Sequence, residues 1–429
     1  MLTENTMRDP HVIHSQFSCR IYQPQRVVFK KGKGVWLHDT KGKRYLDAFA
    51  CHSTLNQGHR HPTIVAAAKQ QLDKITLTSR AYLNQALPLF LERLCGIASM
   101  EQAIPMNSGM EAIETALKVA RKWGYEIKGV PRGDAEIIVM DKSFHGRSIT
   151  TISASTMANH RSGFEPFTPG FVVVPFADVE EVKKAINKNT VAVLLEPIQS
   201  VNRLYRPPDG YLAELRKITR LENVLLILDE IQTGLGRTGK LFAWEWEDAK
   251  PDILCLGKAL GGGIYPVSAV LSSREILSVL GPGTHGSTLA GNPLASAIGL
   301  ASLKVVEEER LASNAWKMGN HICEELRAFS HPDIRRIKGK GLLIGIQLAV
   351  SSESYVRRLI EHEIVSYSIG DHTLRLTPPL IINERQVDFL LGKLHQVFDR
   401  NRVGGFSNQG AESSQQCTIA QQFARRSSP

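Results

Sequence analysis

The sequence predicts an α/β fold, a mostly parallel sheet wrapped in helices with a smaller α+β part after it. Three observations predict this. Short apolar runs at 137–140, 172–174, 191–195, 224–228, 253–256 and 266–271 alternate with segments of helical spacing, the rhythm of strand–helix–strand units. Two of these runs lead directly into polar chemistry: one ends at Asp229-Glu230, the other at Lys258 ahead of Gly261-Gly262-Gly263. Beyond Ser296 a second strand-and-helix set follows, including GLLIGIQLAV and TLRLTPPLII.

Taken in order, residues 1–20 read as a loose lead-in. The stretch VVFKKGKGVWLHDTKGKRYLDAFA alternates, with turn signals at Lys33-Gly34 and at 39–42, and predicts an antiparallel meander. Helices are expected over 62–72 and 87–97. Another is entered through Asn107-Ser108-Gly109, with Ala112, Ala116, Val119, Ala120 and Trp123 at helical spacing. Two more cover 296–309 and 312–326. The expected division is an N-terminal segment, 1–69, contributing to a small domain; a large domain, 70–295; a C-terminal small domain, 296–401; and a tail, 402–429. The tail is rich in Gly, Ser and Gln, a composition that favours disorder.

A chain of 429 residues that is 42% hydrophobic can build two or three cores. The formal net charge is +10, but the basic residues are scattered, and the densest runs, Lys30-Lys31-Gly-Lys33 and Arg335-Arg336-Ile-Lys338-Gly-Lys340, are broken by glycine or apolar residues. They read as solvated faces rather than a nucleic-acid surface. The excess charge suits anionic ligands. The six cysteines show no C-x-x-C pair and no matching histidine spacing, which argues against a zinc site and a disulfide framework. The first residues lack the apolar core of a signal peptide, and no apolar run approaches about 20 residues. A cytoplasmic location without membrane insertion is expected.

A carboxylate and a lysine emerging at carboxyl ends of parallel strands share the crevice where open α/β sheets bind ligands. Such a pair suits pyridoxal phosphate, with lysine holding the cofactor as a Schiff base and the acid on the ring nitrogen. The plainer reading makes Lys258 a solvated lysine and Asp229 a helix cap. Ser108-Gly109 opens a helix whose free amides suit a phosphate. Phe144 could stack on a flat ring and Arg147 could fork onto a carboxylate; alternatively, Phe144 packs in the core and Arg147 joins a surface ion pair. Arg375, between apolar neighbours just before Pro378-Pro379, requires an anionic partner, either a substrate carboxylate or a structural one. Gly234-Leu-Gly236-Arg-Thr-Gly239 matches a dinucleotide fingerprint but stands too far after its strand to act as one.

Several collinear motifs carry a resemblance over roughly residues 20–400: NQGH at 56–59, TLTSR at 76–80, PMNSG at 105–109, ARKWGY at 120–125, EPIQ at 196–199, DEIQT at 229–233, LGKAL at 256–260, YPVSAV at 265–270 and HGST at 285–288. The chain resembles the class III branch of fold type I pyridoxal-phosphate aminotransferases, and within it the ornithine aminotransferase group. The resemblance implies that Lys258 binds the cofactor and shuttles the proton, and that Asp229 keeps the ring nitrogen protonated. It further implies that Gln232 approaches the ring hydroxyl and Phe144 stacks on the ring. Ser108, Gly109 and Met110 would hold the phosphate, joined by Thr288 from the neighbouring subunit of a homodimer. Arg147 and Arg375 would anchor the carboxylates of an amino acid and a 2-oxo acid such as 2-oxoglutarate, with Glu196 at the substrate side.

The pattern breaks at substrate positions. The ornithine-using members have tyrosines where this chain has His52 and Leu83. The usual Gly-Glu-Ala/Gly-Gly after EPIQ is here Ser200-Val201-Asn202-Arg203. In the family that glutamate masks the arginine at the Arg375 position while an ω-amine donor reacts, so Val201 leaves two expectations: Arg375 stays open to an α-carboxylate in both half-reactions, or it pairs with a new acid. Transamination is the expected reaction. A racemase or epimerase, and a cyclase or eliminating enzyme, could use the same Lys258.

Overall fold

The computed structural model describes residues 9–399; the expected tail at 402–429 lies outside them. The central sheet has seven strands: β1 (Gln102–Met106), β2 (Glu136–Met140), β3 (Phe171–Val174), β4 (Thr190–Leu195), β5 (Leu225–Asp229), β6 (Ile253–Leu256) and β7 (Ser268–Ser272). Their spatial order is β1-β7-β6-β5-β4-β2-β3, and only β7 runs antiparallel to its neighbours. The carboxyl ends of β1, β2, β4, β5 and β6 therefore open along one edge.

Both faces of this sheet are buried, which explains the continuous apolar runs. Ile138, Met140, Val193, Leu195, Leu226, Leu228, Leu254 and Leu256 enter one core. Their alternates Ile137, Val139, Ala192, Leu194, Leu225, Ile227, Ile253 and Cys255 enter the other, against the Gly109–Trp123 helix. Strand β1 departs from the sequence pattern, because Pro105 interrupts it. It is an edge strand bonded only to β7, where proline's missing N–H is tolerated.

Two smaller sheets flank the large one. The meander Phe29–Lys33, Trp36–Asp39 and Arg44–Asp47 takes Ile364–Val365 as a parallel fourth strand. The other sheet joins Ile334–Lys340, Leu343–Leu348, Thr373–Leu376 and Tyr367–Ile369, all antiparallel. The lead-in is not shapeless in its described part: Pro10–Phe17 forms a helix, with the Asp9 carboxylate accepting from the His11 N–H at 2.9 Å, although none of its residues is buried.

Arg237, inside the glycine pattern that mimics a dinucleotide fingerprint, is fully buried and ties these parts together. Its Nη1 donates to the carbonyls of Leu342 (2.9 Å) and Pro378 (2.7 Å), and its Nη2 to Asn56 Oδ1 (2.5 Å). The glycines on either side, Gly236 and Gly239, adopt positive φ. They shape a turn that delivers this arginine, not a phosphate cradle.

Candidate active site

Asp229 is the last residue of β5 and is 5% exposed. Its Oδ2 lies 2.8 Å from His145 Nδ1, and its Oδ1 accepts the Ile231 N–H at 3.1 Å. It caps no helix. His145 is buried, and its Nε2 has no hydrogen-bond partner among the described residues. Nothing local in the sequence singles out His145; only the fold brings it from the loop after β2 onto a residue 84 positions away.

Lys258 stands just beyond β6, opening the Lys258–Gly261 turn in a left-handed conformation (φ 44°). Burial pushes its ammonium below the ordinary lysine range, opposed by the Asp229 carboxylate and reinforced by Arg375. A lysine in that state is a better nucleophile and proton acceptor than a solvated one.

At the end of β1, Ser108 caps the Gly109–Trp123 helix. Ser108 Oγ accepts the Glu111 N–H, and Glu111 accepts the N–H groups of Asn107 and Ser108. No hydrogen bond among the described residues engages the Gly109 and Met110 amides, which suits them to an anion at the positive end of the helix dipole. Gly109 lets Ile231 pack close, since a Cβ would come within 2.9 Å of Ile231 Cδ1 and push that side chain aside.

Gln232 donates from Nε2 to the His52 carbonyl at 2.9 Å, while its Oε1 is buried and unpartnered among the described residues. Phe144 gives its N–H to Glu196 Oε1 (3.0 Å). The Arg147 guanidinium lies 5.7 Å from the Phe144 ring centroid and donates to His160 Nε2 at 3.2 Å. No acid pairs with Arg147 among the described residues, so the alternative of a surface ion pair is not realised. Glu196 is buried, its Oε2 taken by the N–H and hydroxyl of Ser200. Burial raises its pKa, against the opposing charge of His145.

Arg375 lies in the Thr373–Leu376 strand and is 1% exposed. Its Nε and Nη2 make no hydrogen bond, and none of the described acids forms an ion pair with it. Desolvation lowers its pKa to about 10. The 199–205 loop that holds Val201 packs beside it: Leu204 reaches Gly345, the cross-strand partner of Arg375, so closely that a Cβ there would sit 3.2 Å from Leu204 Cβ. Of the two expectations raised by Val201, no new acid is found among the described residues.

Four consecutive residues, Ala50 to Ser53, adopt positive φ, a costly backbone held by the Asp47 carboxylate, which accepts the Phe49 and Ala50 N–H groups. The turn aims His52 into the crevice. Burial, then Arg375 and Lys258, lower the His52 pKa to about 4. Unfolding would restore the ordinary value of 6.5, so the unfolded state takes up the proton first, and this contribution to stability is lost as pH falls from 6.5 towards 4. His52→Gln is expected to flatten the loss of Tm in that window; an unchanged acid limb would contradict it.

Two expected site residues are not in this crevice. Leu83 is 92% exposed and lines a separate open groove of about 950 Å³ with Thr78, Leu89 and Arg93. Thr288 is exposed in a loop whose His285 and Ser287 bond Thr115 and Asn107 of the same chain.

The aminotransferase class-III family profile matches residues 18–398. The chain is a class III aminotransferase. Among its curated relatives, the ornithine aminotransferase of Brevibacillus brevis is 45% identical over 382 residues, covering 89% of this chain and 96% of the relative. Ornithine aminotransferase 2 of Staphylococcus aureus is 44% identical over 384 residues (90% and 97%). The solved ornithine aminotransferase of Toxoplasma gondii superposes with a TM-score of 0.90 at 38% identity, covering 92% of this chain and 95% of that one.

The aminotransferase uses pyridoxal phosphate, and the crevice suits it. The unengaged amides at a helix start would suit a phosphate, the Asp229 carboxylate a ring nitrogen, the buried Gln232 Oε1 a ring hydroxyl, and the Lys258 amine an aldehyde. The enzyme moves an amino group from an amino acid to a 2-oxo acid on the fold type I scaffold.

Proposed function

We propose that each functional residue acts as follows in this transamination. Lys258 Nζ would hold the cofactor and, once displaced by the substrate amine, would take up and give back the proton of the substrate carbon. Asp229, steadied by His145, holds a proton on the ring nitrogen. Pyridoxal phosphate, when bound, supplies an aldehyde that accepts the amino group and a ring that draws electrons from the reacting carbon. Ser108, Gly109 and Met110 would hold the phosphate, Phe144 would stack on the ring, and Gln232 Oε1 would accept from its hydroxyl.

Arg375 and Arg147 orient the substrate carboxylates, with His52, Val201 and Glu196 around them. The observation that carries this assignment is the buried guanidinium of Arg375 with two unmet donors beside Lys258. A buried arginine without an anion is costly, and a substrate carboxylate relieves that cost. Arg375→Gln should weaken the apparent affinity for the oxo-acid acceptor, raising its KM by roughly 10²-fold, corresponding to the loss of charge-assisted bonds. Steady-state kinetics test this, and an unchanged acceptor KM would refute the assignment.

The same reading includes a large domain over 70–295 with a smaller one from both chain ends, and a cytoplasmic homodimer in which Thr288 of each subunit serves the other's phosphate. The exposure of Thr288 and Leu83 in a single chain supports it. Sedimentation of the holoenzyme as a monomer would exclude it.

A further inference from the structure

Resting on that assignment of Arg375, we infer that the preferred amino donor is a monoamino α-amino acid with an apolar side chain, aliphatic or aromatic, rather than a diamino acid. The crevice carries this in two ways. First, among the described residues it has no acid free for a second ammonium. Asp229 is engaged by His145 and the Ile231 amide, and Glu196 by Phe144 and Ser200. Asp47 is engaged by His59 (2.7 Å) and the Phe49 and Ala50 amides. Glu196 lies electrostatically close to Arg375 and Lys258, but its oxygens are already taken, and the guanidinium groups of Arg375 and Arg147 are positive. His52 adds no negative charge, and its ring is disfavoured as a cation by burial and by the same neighbours.

Second, an aromatic wall borders Arg375. Tyr367 is its cross-strand partner, so both side chains leave the same face of the sheet. The Tyr367 ring stacks on Phe49 with centroids 4.7 Å apart at 11°, and His52 stands edge-on to both at 5.0 and 4.4 Å. Phe49 and His52 are only partly buried, and Tyr367 is 43% exposed. A donor whose α-carboxylate sits on Arg375 can therefore lay an apolar side chain on this wall. A side-chain ammonium placed there would find only ring faces and partial hydration, with no acid to pair it, whereas an apolar side chain buries its surface against all three rings.

The test uses holoenzyme with 2-oxoglutarate as acceptor and L-leucine, L-phenylalanine or L-ornithine as donor. The expected result is a kcat/KM for leucine or phenylalanine at least tenfold above that for ornithine. The variant Tyr367→Ala, checked for bound cofactor by its visible absorbance, should raise the KM of the better apolar donor at least fivefold with little change for ornithine. Preference for ornithine, or a Tyr367→Ala effect equal on both donors, would overturn the inference while leaving the aminotransferase assignment of Arg375 standing. Failure of Arg375→Gln to alter the acceptor KM would instead remove the reading beneath it, and the inference with it.

Discussion

Lys258→Ala is expected to abolish oxo-acid-dependent turnover, with kcat falling by at least roughly 10³-fold. The residue has two tasks, binding the cofactor and moving the proton, and no second amine replaces it. The other cations at the crevice, Arg147 and Arg375, are guanidinium groups that do not deprotonate under working conditions. Lys258 is also suited to the task by placement. Its turn begins directly after a fully buried strand, and its ammonium is held below the ordinary lysine range by burial. Initial-rate assays with circular dichroism as a folding check decide the matter. Partial rescue by added methylamine would confirm that an amine, and not a shape, is missing. A folded Lys258→Ala enzyme retaining a tenth of its rate would exclude the role.

Asp229→Asn is expected to cost roughly 10²–10³-fold in kcat, the usual scale for removing one preorganised electrostatic group. The isosteric amide keeps contacts near the Ile231 N–H and His145 but loses the negative charge. A ring nitrogen opposite a neutral amide does not hold its proton, so electron withdrawal from the reacting carbon fails. The KM should change far less, since Asp229 is not a carboxylate anchor. Stopped-flow absorbance of the bound cofactor on donor addition would show the slowed step directly. A large KM effect with unchanged kcat would place Asp229 in substrate binding instead.

Lys258 and Asp229 are legible in the sequence as groups at the ends of apolar runs, but spacing leaves a plain reading open, and only the collinear motifs around them point to the cofactor. The helix start at Ser108 is legible through Asn107-Ser108-Gly109 ahead of apolar residues at helical spacing, and the structure adds the Glu111 half of its capping box. What escapes is tertiary. The His145–Asp229 contact joins residues 84 positions apart, and nothing near His145 marks it. The left-handed run at Ala50 to Ser53 contains no glycine, so no local signal announces the turn that aims His52. Strand β1 hides behind Pro105, and the Pro10–Phe17 helix behind its lack of any buried face. Arg237 sits in a pattern that suggests a ligand, and the fold uses it as an internal tie.

Strand β1 also bears on how the enzyme is made. It hydrogen-bonds only to β7, whose residues follow it by more than 160 positions. The helix whose amides suit the phosphate begins just after β1, and the Arg44–Asp47 strand, which precedes the His52 turn, pairs locally with Trp36–Asp39 but gains its second neighbour only with Ile364–Val365. Pairings so distant along the chain are slow, because loop closure comes before the contacts that reward it. During synthesis, at about 5–20 residues per second, β1 stays unpaired until the antiparallel strand emerges. The cofactor site is thus a late product of translation, closed only after β7 has left the ribosome, and nascent chains stopped before β7 are expected to be colourless in the presence of the cofactor.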